Sequence, residues 1–384
     1  MYREKDFDDI RPYHDREINA ALHRIVSVPE FGRILEFLFP ERNKNDIIDE
    51  LKHIDSAIGF QKLFMHPLVN SIVHKTSNGL TCSGFEYLVP GVPYLFVANH
   101  RDIVLDSAIL QVLLLDNGHL TSEITFGSNL MTNPFIIDLG KVNRMFKVYR
   151  GGNRMELFRN SKILSAYIRY TITEKRTSAW IAQRNGRTKD GNDRTESGLL
   201  KMLHISGTGD FEESFSQLNI VPLSMSYEYE PCSGLKVKET SMVQKGMTYH
   251  KAPNEDLMSI LSGITGQKGR IHLSVCPPVN SFIHESRGVR VFNDRINMLA
   301  SRMDAEIYRH YRLWPTNFVA HDLLNNSDRY GDHYTQVEKN GFVNFIDREL
   351  SEKKLEGTEY RDLMIKMYAR PVDNVAAAEV SGNR

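Results

Sequence analysis

The stretch PYLFVANHRDIVLDSAILQVLLLD, residues 93–116, decides how the rest of the chain is read. YLFVA is short, apolar and bounded by Pro93 and Asn99, the pattern of a strand buried on both faces. The apolar run that follows, 104–115, is too long for a strand and reads as a core helix. In open α/β sheets, ligands sit beyond the carboxyl ends of strands, where loops hand over to helices. His100 stands at such a handover, with Asp102 and Asp106 close behind it in sequence. An unpaired carboxylate inside an apolar helix is costly to desolvate, so Asp106 needs a partner, and His100 is the nearest candidate. The pair has the composition of a general base and the carboxylate that orients it. Asp102 lies where a helix N-cap belongs and is the alternative partner. Asn99 and Arg101 flank the histidine as supporting residues, and Asn99 reads equally as a turn residue.

Outward from this block the pattern is α/β. EITFG (123–127), FKVY (146–149), SAWIA (178–182), IVPLSMSY (220–227) and RIHLSV (270–275) read as further strands. Helical stretches separate them: a short one after Pro134, and a long one from Arg154 to Thr173 with Leu157, Ile163, Leu164, Tyr167 and Ile168 on its apolar side. Such alternation predicts a mixed, mostly parallel sheet flanked by helices. Before it, EINAALHRIV, FGRILEFLF and NDIIDELKHI space apolar residues three and four apart and predict helices; after it, FNDRINMLASRMDAEIYRHYRLW does the same. The expected organisation is an N-terminal helical segment (1–75), an α/β domain (76–284) and a C-terminal helical extension (285–384) ending in a loose tail of about fifteen residues.

Lys plus Arg and Asp plus Glu each number 48 among 384 residues, so no global field marks a nucleic-acid binder, and anion attraction must come from local clusters. Cys82, Cys232 and Cys276 are widely spaced, which supports neither a disulfide framework nor a zinc site and fits a reducing cytoplasm. The amino-terminal residues lack the apolar core of a signal peptide, and the longest apolar run is interrupted by Asp106, Ser107 and Gln111, so no spanning helix is expected.

Two basic clusters follow strands. KVNRMFKVYRGGNR, 141–154, holds Lys141, Arg144, Lys147, Arg150 and Arg154 without an acid. Gly151 and Gly152 release the backbone after FKVY, leaving Arg150 at the strand end on the ligand side. QRNGRTKDGNDRTESG, 183–198, is a glycine-containing loop with Arg184, Arg187 and Lys189, suited to closing on anionic oxygens. Both clusters also read as solvated basic surface.

Together these segments resemble the glycerolipid acyltransferase family, the glycerol-3-phosphate and 1-acylglycerol-3-phosphate acyltransferases. NHRDIVLD resembles the family's His-x-x-x-x-Asp block. PFIIDLGKVNRMFKVYR (134–150) resembles its Pro-Phe helix leading to a strand that ends in a phosphate-binding Arg. RNGRTKDG (184–191) matches its Glu-Gly-x-Arg-Ser loop, and IVPLSMSYEYE (220–230), with Pro222, its Val-Pro strand. The four blocks keep family order and spacing over about residues 75–280. The resemblance implies acyl transfer from acyl-CoA or acyl carrier protein to a hydroxyl of glycerol-3-phosphate or 1-acylglycerol-3-phosphate in phospholipid synthesis. It implies His100 as base and Asp106 as its partner. Arg150, Arg187 and Lys189 would lie on the acceptor phosphate, with Arg184 and Pro222 supporting. It needs no metal or other cofactor, and it places the chain peripherally on the inner face of the cytoplasmic membrane.

Two departures stand out. Position 105 is Leu, so the carboxylate falls one residue later than in the family. A regular helix would rotate it by about 100°, whereas an extra residue in the turn would restore the pairing. The family's acid in the third block falls on Arg184 or Gln183, which leaves the acceptor open. A lyso-aminolipid acceptor and a non-catalytic lipid-binding homologue are the alternatives. A protein kinase is excluded by the missing glycine-rich loop and Asp-Phe-Gly, while an unrelated α/β hydrolase stays open as a third rival, disfavoured by the missing Gly-x-Ser-x-Gly elbow. FGRILEFLF and FQKLFMHPLV, with Arg33 and Lys62, are candidates for a membrane-facing surface, or they simply cover the sheet.

Overall fold

A computed structural model describes residues 2–252 and 254–382. Seven strands, β1 (Leu80–Ser83), β2 (Leu95–Ala98), β3 (Glu123–Gly127), β4 (Met145–Val148), β5 (Ala179–Ala182), β6 (Ile220–Tyr227) and β7 (Ile271–Val275), form one sheet in the order β1-β7-β6-β2-β5-β3-β4. Every pairing among them is parallel except that of β6 with β7. The mixed, mostly parallel sheet expected from the alternation is therefore present. β1 escapes the sequence reading because LTCS is short and alternates half-buried with exposed positions, as an edge strand does.

Helices precede, flank and follow the sheet. The first group is α1 (Asp15–Val26), α2 (Pro29–Leu38), α3 (Lys44–Lys52) and α4 (Ala57–Phe60), the last passing through a wide π turn into α5 (His66–Thr76). The second is α6 (Leu105–Asp116), α7 (Pro134–Val142), α8 (Arg154–Thr173), α9 (Ser197–Ile205), α10 (Phe211–Ser216), α11 (Ser233–Gln244) and α12 (Glu255–Thr265). The third is α13 (Phe292–Arg309), α14 (Pro315–Asn325), α15 (Gln336–Glu352) and α16 (Thr358–Gly382). No helix among the described residues is long and apolar enough to cross a membrane.

The side-chain alternation of β2 divides the core. Leu95 and Val97 join Tyr167 and Ile168 of α8 on one face, while Phe96 and Ala98 join Leu105, Ile109 and Leu110 of α6 on the other. Because β2 lies between β5 and β6, it is covered on both faces and paired on both edges, and all four of its residues are buried. The amino-terminal helices close a separate cluster around Leu22, Leu35, Phe60 and Phe64; the last helices close another around Val319, Phe342, Ile346 and Tyr368.

Two local expectations are corrected. Leu157 is exposed, since the first turns of α8 overhang the end of the sheet and only Ile163 onward packs on it. The loose tail is helix through Gly382, with Val372 and Ala378 buried. Alanines at 376–378 favour the helix and the buried residues give it a packed stripe. The tail's last two residues, 383 and 384, lie outside the described residues.

Candidate functional site

β2 through β6 all end on one edge of the sheet, and the antiparallel β7 begins there, with Ile271 opposite Tyr227. His100 follows β2 at the centre of this edge. The chain does not enter helix at once: Arg101 to Val104 form an irregular turn, and α6 starts only at Leu105. That turn absorbs the additional residue, and Asp106 Oδ2 lies 2.9 Å from His100 Nδ1. A carboxylate only accepts, so Nδ1 carries the proton and Nε2 presents its lone pair.

Asp106 is held from every side. Its Oδ2 also accepts from the backbone N–H groups of Arg101 and Asp102 at 2.6 and 2.9 Å, and its Oδ1 accepts from the Tyr227 hydroxyl at 2.8 Å. Burial, and after it the charge of Asp106, push the Tyr227 phenol well up, so it stays a donor. Asp102 points away from the imidazole: its Oδ1 accepts from the backbone N–H groups of Val104 and Leu105 and caps the helix. Burial first, and then Asp106, push its carboxyl up. Its Oδ2 has no hydrogen-bond partner and faces Gly263 of α12, where a Cβ would stand 2.1 Å away. Burial also lowers the Lys268 ammonium to about 8, near enough to Asp102 for the carboxylate to counteract it.

Behind the histidine runs a buried network of charges. The Arg101 guanidinium donates to Asp193 at 2.5 Å and to Glu230 at 2.9 Å, and Lys236 donates to Glu230 at 2.5 Å and to the Arg101 carbonyl at 2.6 Å. Burial works against the Arg101 charge, but Asp193 and Glu230 outweigh it; for Lys236 burial prevails and its ammonium is lowered. Asn99 donates to Asp193 at 3.0 Å and exchanges two hydrogen bonds with the backbone of Met225, joining the ends of β2 and β6. Arg101 and Asn99 are therefore held by protein partners, with only the Arg101 Nε buried without one.

The basic loop after β5 folds over this edge. Thr188 donates its backbone N–H to the His100 carbonyl at 2.7 Å and its hydroxyl to Asp193 at 2.6 Å, which brings Arg187 beside the histidine. Arg187 donates weakly to Ser259 of α12 at 3.3 Å, and its Nη1 is buried without a partner. Arg150 reaches the same loop through Asn185, with its own N–H on Ser128 Oγ at 3.0 Å beyond the end of β3. Lys189 instead turns to Glu239 of α11, and Arg184 bends back to the Asn192 carbonyl within the loop. Pro222 is buried mid-strand opposite Val97, away from the edge. In the 141–154 cluster, Lys147 pairs with Asp9, Lys141 reaches the carbonyls of Asp8 and Asp9, and Arg144 donates to Thr121.

The structure thus joins His100 to Asp106, ties the loop carrying Arg187 to the His100 carbonyl through Thr188, and sets Arg150 on Asn185 of that loop, while Lys189 pairs with Glu239, Arg184 makes one long bond to Asn192 with its Nε unpartnered, and Pro222 lies within β6. The sequence reading missed Tyr227, Asp193, Glu230, Lys236 and the cover that α12 provides. Tyr227 was within reach of the strand-end rule, since it closes an apolar strand; the others are named only by strand order.

No protein-family model matches the chain, and no curated protein matches it. Among solved structures, the 1-acyl-sn-glycerophosphate (LPA) acyltransferase PlsC from Thermotoga maritima is similar over 74% of this chain and 92% of its own, at 12% identity and a TM-score of 0.38.

Proposed function

We propose that this chain is an acyltransferase that moves an acyl group from a thioester, of coenzyme A or acyl carrier protein, to a hydroxyl of glycerol-3-phosphate or 1-acylglycerol-3-phosphate. One observation carries the reading: the His100–Asp106 contact at the carboxyl end of β2, with Thr188 on the His100 carbonyl holding Arg187 alongside. The order of the four sequence blocks supports it.

In this reading His100 Nε2 takes the proton of the acceptor hydroxyl as its oxygen bonds to the thioester carbon. The tetrahedral intermediate then collapses, the carbon–sulfur bond breaks, and the imidazolium returns the proton to the leaving thiolate. Asp106 keeps Nδ1 protonated and stabilises the imidazolium, and Tyr227 with the two backbone N–H groups holds the carboxylate in register. Arg150 and Arg187 hold the acceptor's phosphate, which turns binding into orientation of the attacking oxygen. A guanidinium grips a carboxylate by the same fork, so a lyso-aminolipid acceptor is the second reading, and a panel of acceptors against one acyl donor separates the two. His100→Ala is expected to lower turnover by about 10²–10⁴-fold with an unchanged thermal melt. Undiminished turnover in that variant would remove the proposal and leave a lipid-binding relative of the enzymes.

A further inference from the structure

A surface helix is ordinarily held down by an apolar stripe. α12 is not. The residues it buries are Ser259 and Gly263, while Leu257, Met258 and Leu261 are exposed. Neither these three nor the half-buried Ile260 and Ile264 join any of the four apolar clusters. Polar contacts hold the helix instead: Arg187 on the Ser259 hydroxyl at 3.3 Å, the Cys232 thiol on the Ser259 carbonyl at 3.3 Å, and Asn129 on Asp256 at 3.1 Å. A segment with so little apolar burial belongs to the low-stability end of a fold.

Beneath it are two groups that a permanent cover would strand. Asp102 Oδ2 and Arg187 Nη1 are both buried without a partner, and Gly263 sits so close that a Cβ would fall 2.1 Å from Asp102 Oδ2. Each such atom costs the closed form free energy that water or a ligand returns once the helix lifts. The chain on either side permits that motion. Gly246, at φ 73°, follows α11 and leads into residues 247–252, which have no regular structure. On the other side the Lys268 N–H and ammonium are fixed on the Thr76 carbonyl and hydroxyl at 2.8 and 2.9 Å, which leaves Gly266 and Gln267 as the pivot. We propose that α12 is a lid over the His100 edge, shut in this structure, that lifts about these two segments to open Arg187 to an anionic ligand and Asp102 to a hydroxyl donor, and closes again over them. That the anion is the acceptor's phosphate rests on the acyl-transfer reading of the site; the motion does not.

The chain carries its own reporter. Cys232 is buried beneath α12, whereas Cys276 is buried beyond the far end of β7, with its thiol on the Glu306 carbonyl of α13. Labelling of the native full chain with a water-soluble maleimide, read site by site by mass spectrometry, tests the lid. Cys232 is expected to react at least about 100-fold faster than Cys276, since a local opening is easier than global unfolding. Glycerol-3-phosphate at about ten times its dissociation constant is expected to slow Cys232 by about tenfold and to leave Cys276 unchanged. Gly263→Ala is expected to speed Cys232 by at least about fivefold, because its methyl props α12 off Asp102; in a fixed cover the better helix former would slow it. Equal rates at Cys232 and Cys276, or slower labelling of Cys232 in Gly263→Ala, overturn the lid. Fast labelling that glycerol-3-phosphate leaves unchanged keeps the lid and removes the acceptor from beneath it, while loss of transfer in His100→Ala bears on the chemistry alone.

Discussion

Arg101 and Arg187 stand at the same edge of the same sheet, yet their surroundings differ in kind. Arg101 is buried between two carboxylates and over the Tyr311 ring, its charge balanced within the protein. Arg187 has one long hydrogen bond and a buried Nη1 with no partner. Each guanidinium has a buried nitrogen without a partner, so the difference lies in charge: Arg101 meets two carboxylates, whereas Arg187 has no ion pair among the described residues and keeps its charge to offer a ligand. Asp106 and Asp102 repeat the contrast. Asp106 is saturated by donors and positioned on His100, whereas Asp102 caps a helix with one oxygen and leaves the other bare.

Arg101→Met would strain this contrast hardest. It leaves Asp193 buried without a cation and Glu230 with Lys236 alone, and a loss of about 3–5 kcal/mol in urea unfolding is expected; a loss under 1 kcal/mol would show that the network is dispensable. Next comes Arg187→Ala, which is expected to raise the KM for a phosphorylated acceptor by about 10–100-fold with little change in melting temperature. Lys189→Ala serves as its companion, moving the same KM by less than about threefold because Lys189 is spent on Glu239. Equal effects from the two would erase the distinction between open and engaged cations.

A smaller effect concerns the far root of the basic loop, where Asp304 of α13 accepts the Thr195 N–H at 2.7 Å. Burial first pushes its carboxyl up to about 6. A raised carboxyl favours folding while protonated, so this contribution is full below its unfolded value of 3.8 and is lost as pH rises through about 6. Asp304→Asn keeps the acceptor and removes the charge. It is expected to be more stable than the parent by on the order of 1–2 kcal/mol at pH 7, with the difference vanishing near pH 4; a gap independent of pH would place its origin elsewhere.

Much of the fold was legible because buried parallel strands are written as local apolar runs. YLFVA and IVPLSMSY are visible without any partner, while LTCS at the edge is not, since half of its residues face water. The covering helices were less readable. α12 has its apolar side on the wrong face for a pattern argument, and the end of α16 is built from small residues whose burial depends on what they pack against. At the site, His100 and Arg150 were picked out by position after strands, Asp106 by the cost of a lone carboxylate in an apolar helix, and Arg187 as one cation of the basic loop. Lys189 was not distinguishable from Arg187, because both are cations in one flexible-looking loop and only the opposite wall, Glu239 for one and Ser259 for the other, separates them.

The residue types and their order along the chain determined by themselves that a histidine follows a buried strand, that basic loops follow two others, and that helices surround the sheet. Tertiary structure decided the rest: that an irregular turn from Arg101 to Val104 sets Asp106 on His100, that Tyr227 from β6 completes its shell, and that Asp193 and Glu230 neutralise Arg101. The physical reason is one of range. Apolar periodicity is local and can be read residue by residue, but a charge is assigned its role by whichever partner the fold brings to within about 3 Å of it, and those partners come from strands and helices far apart in sequence.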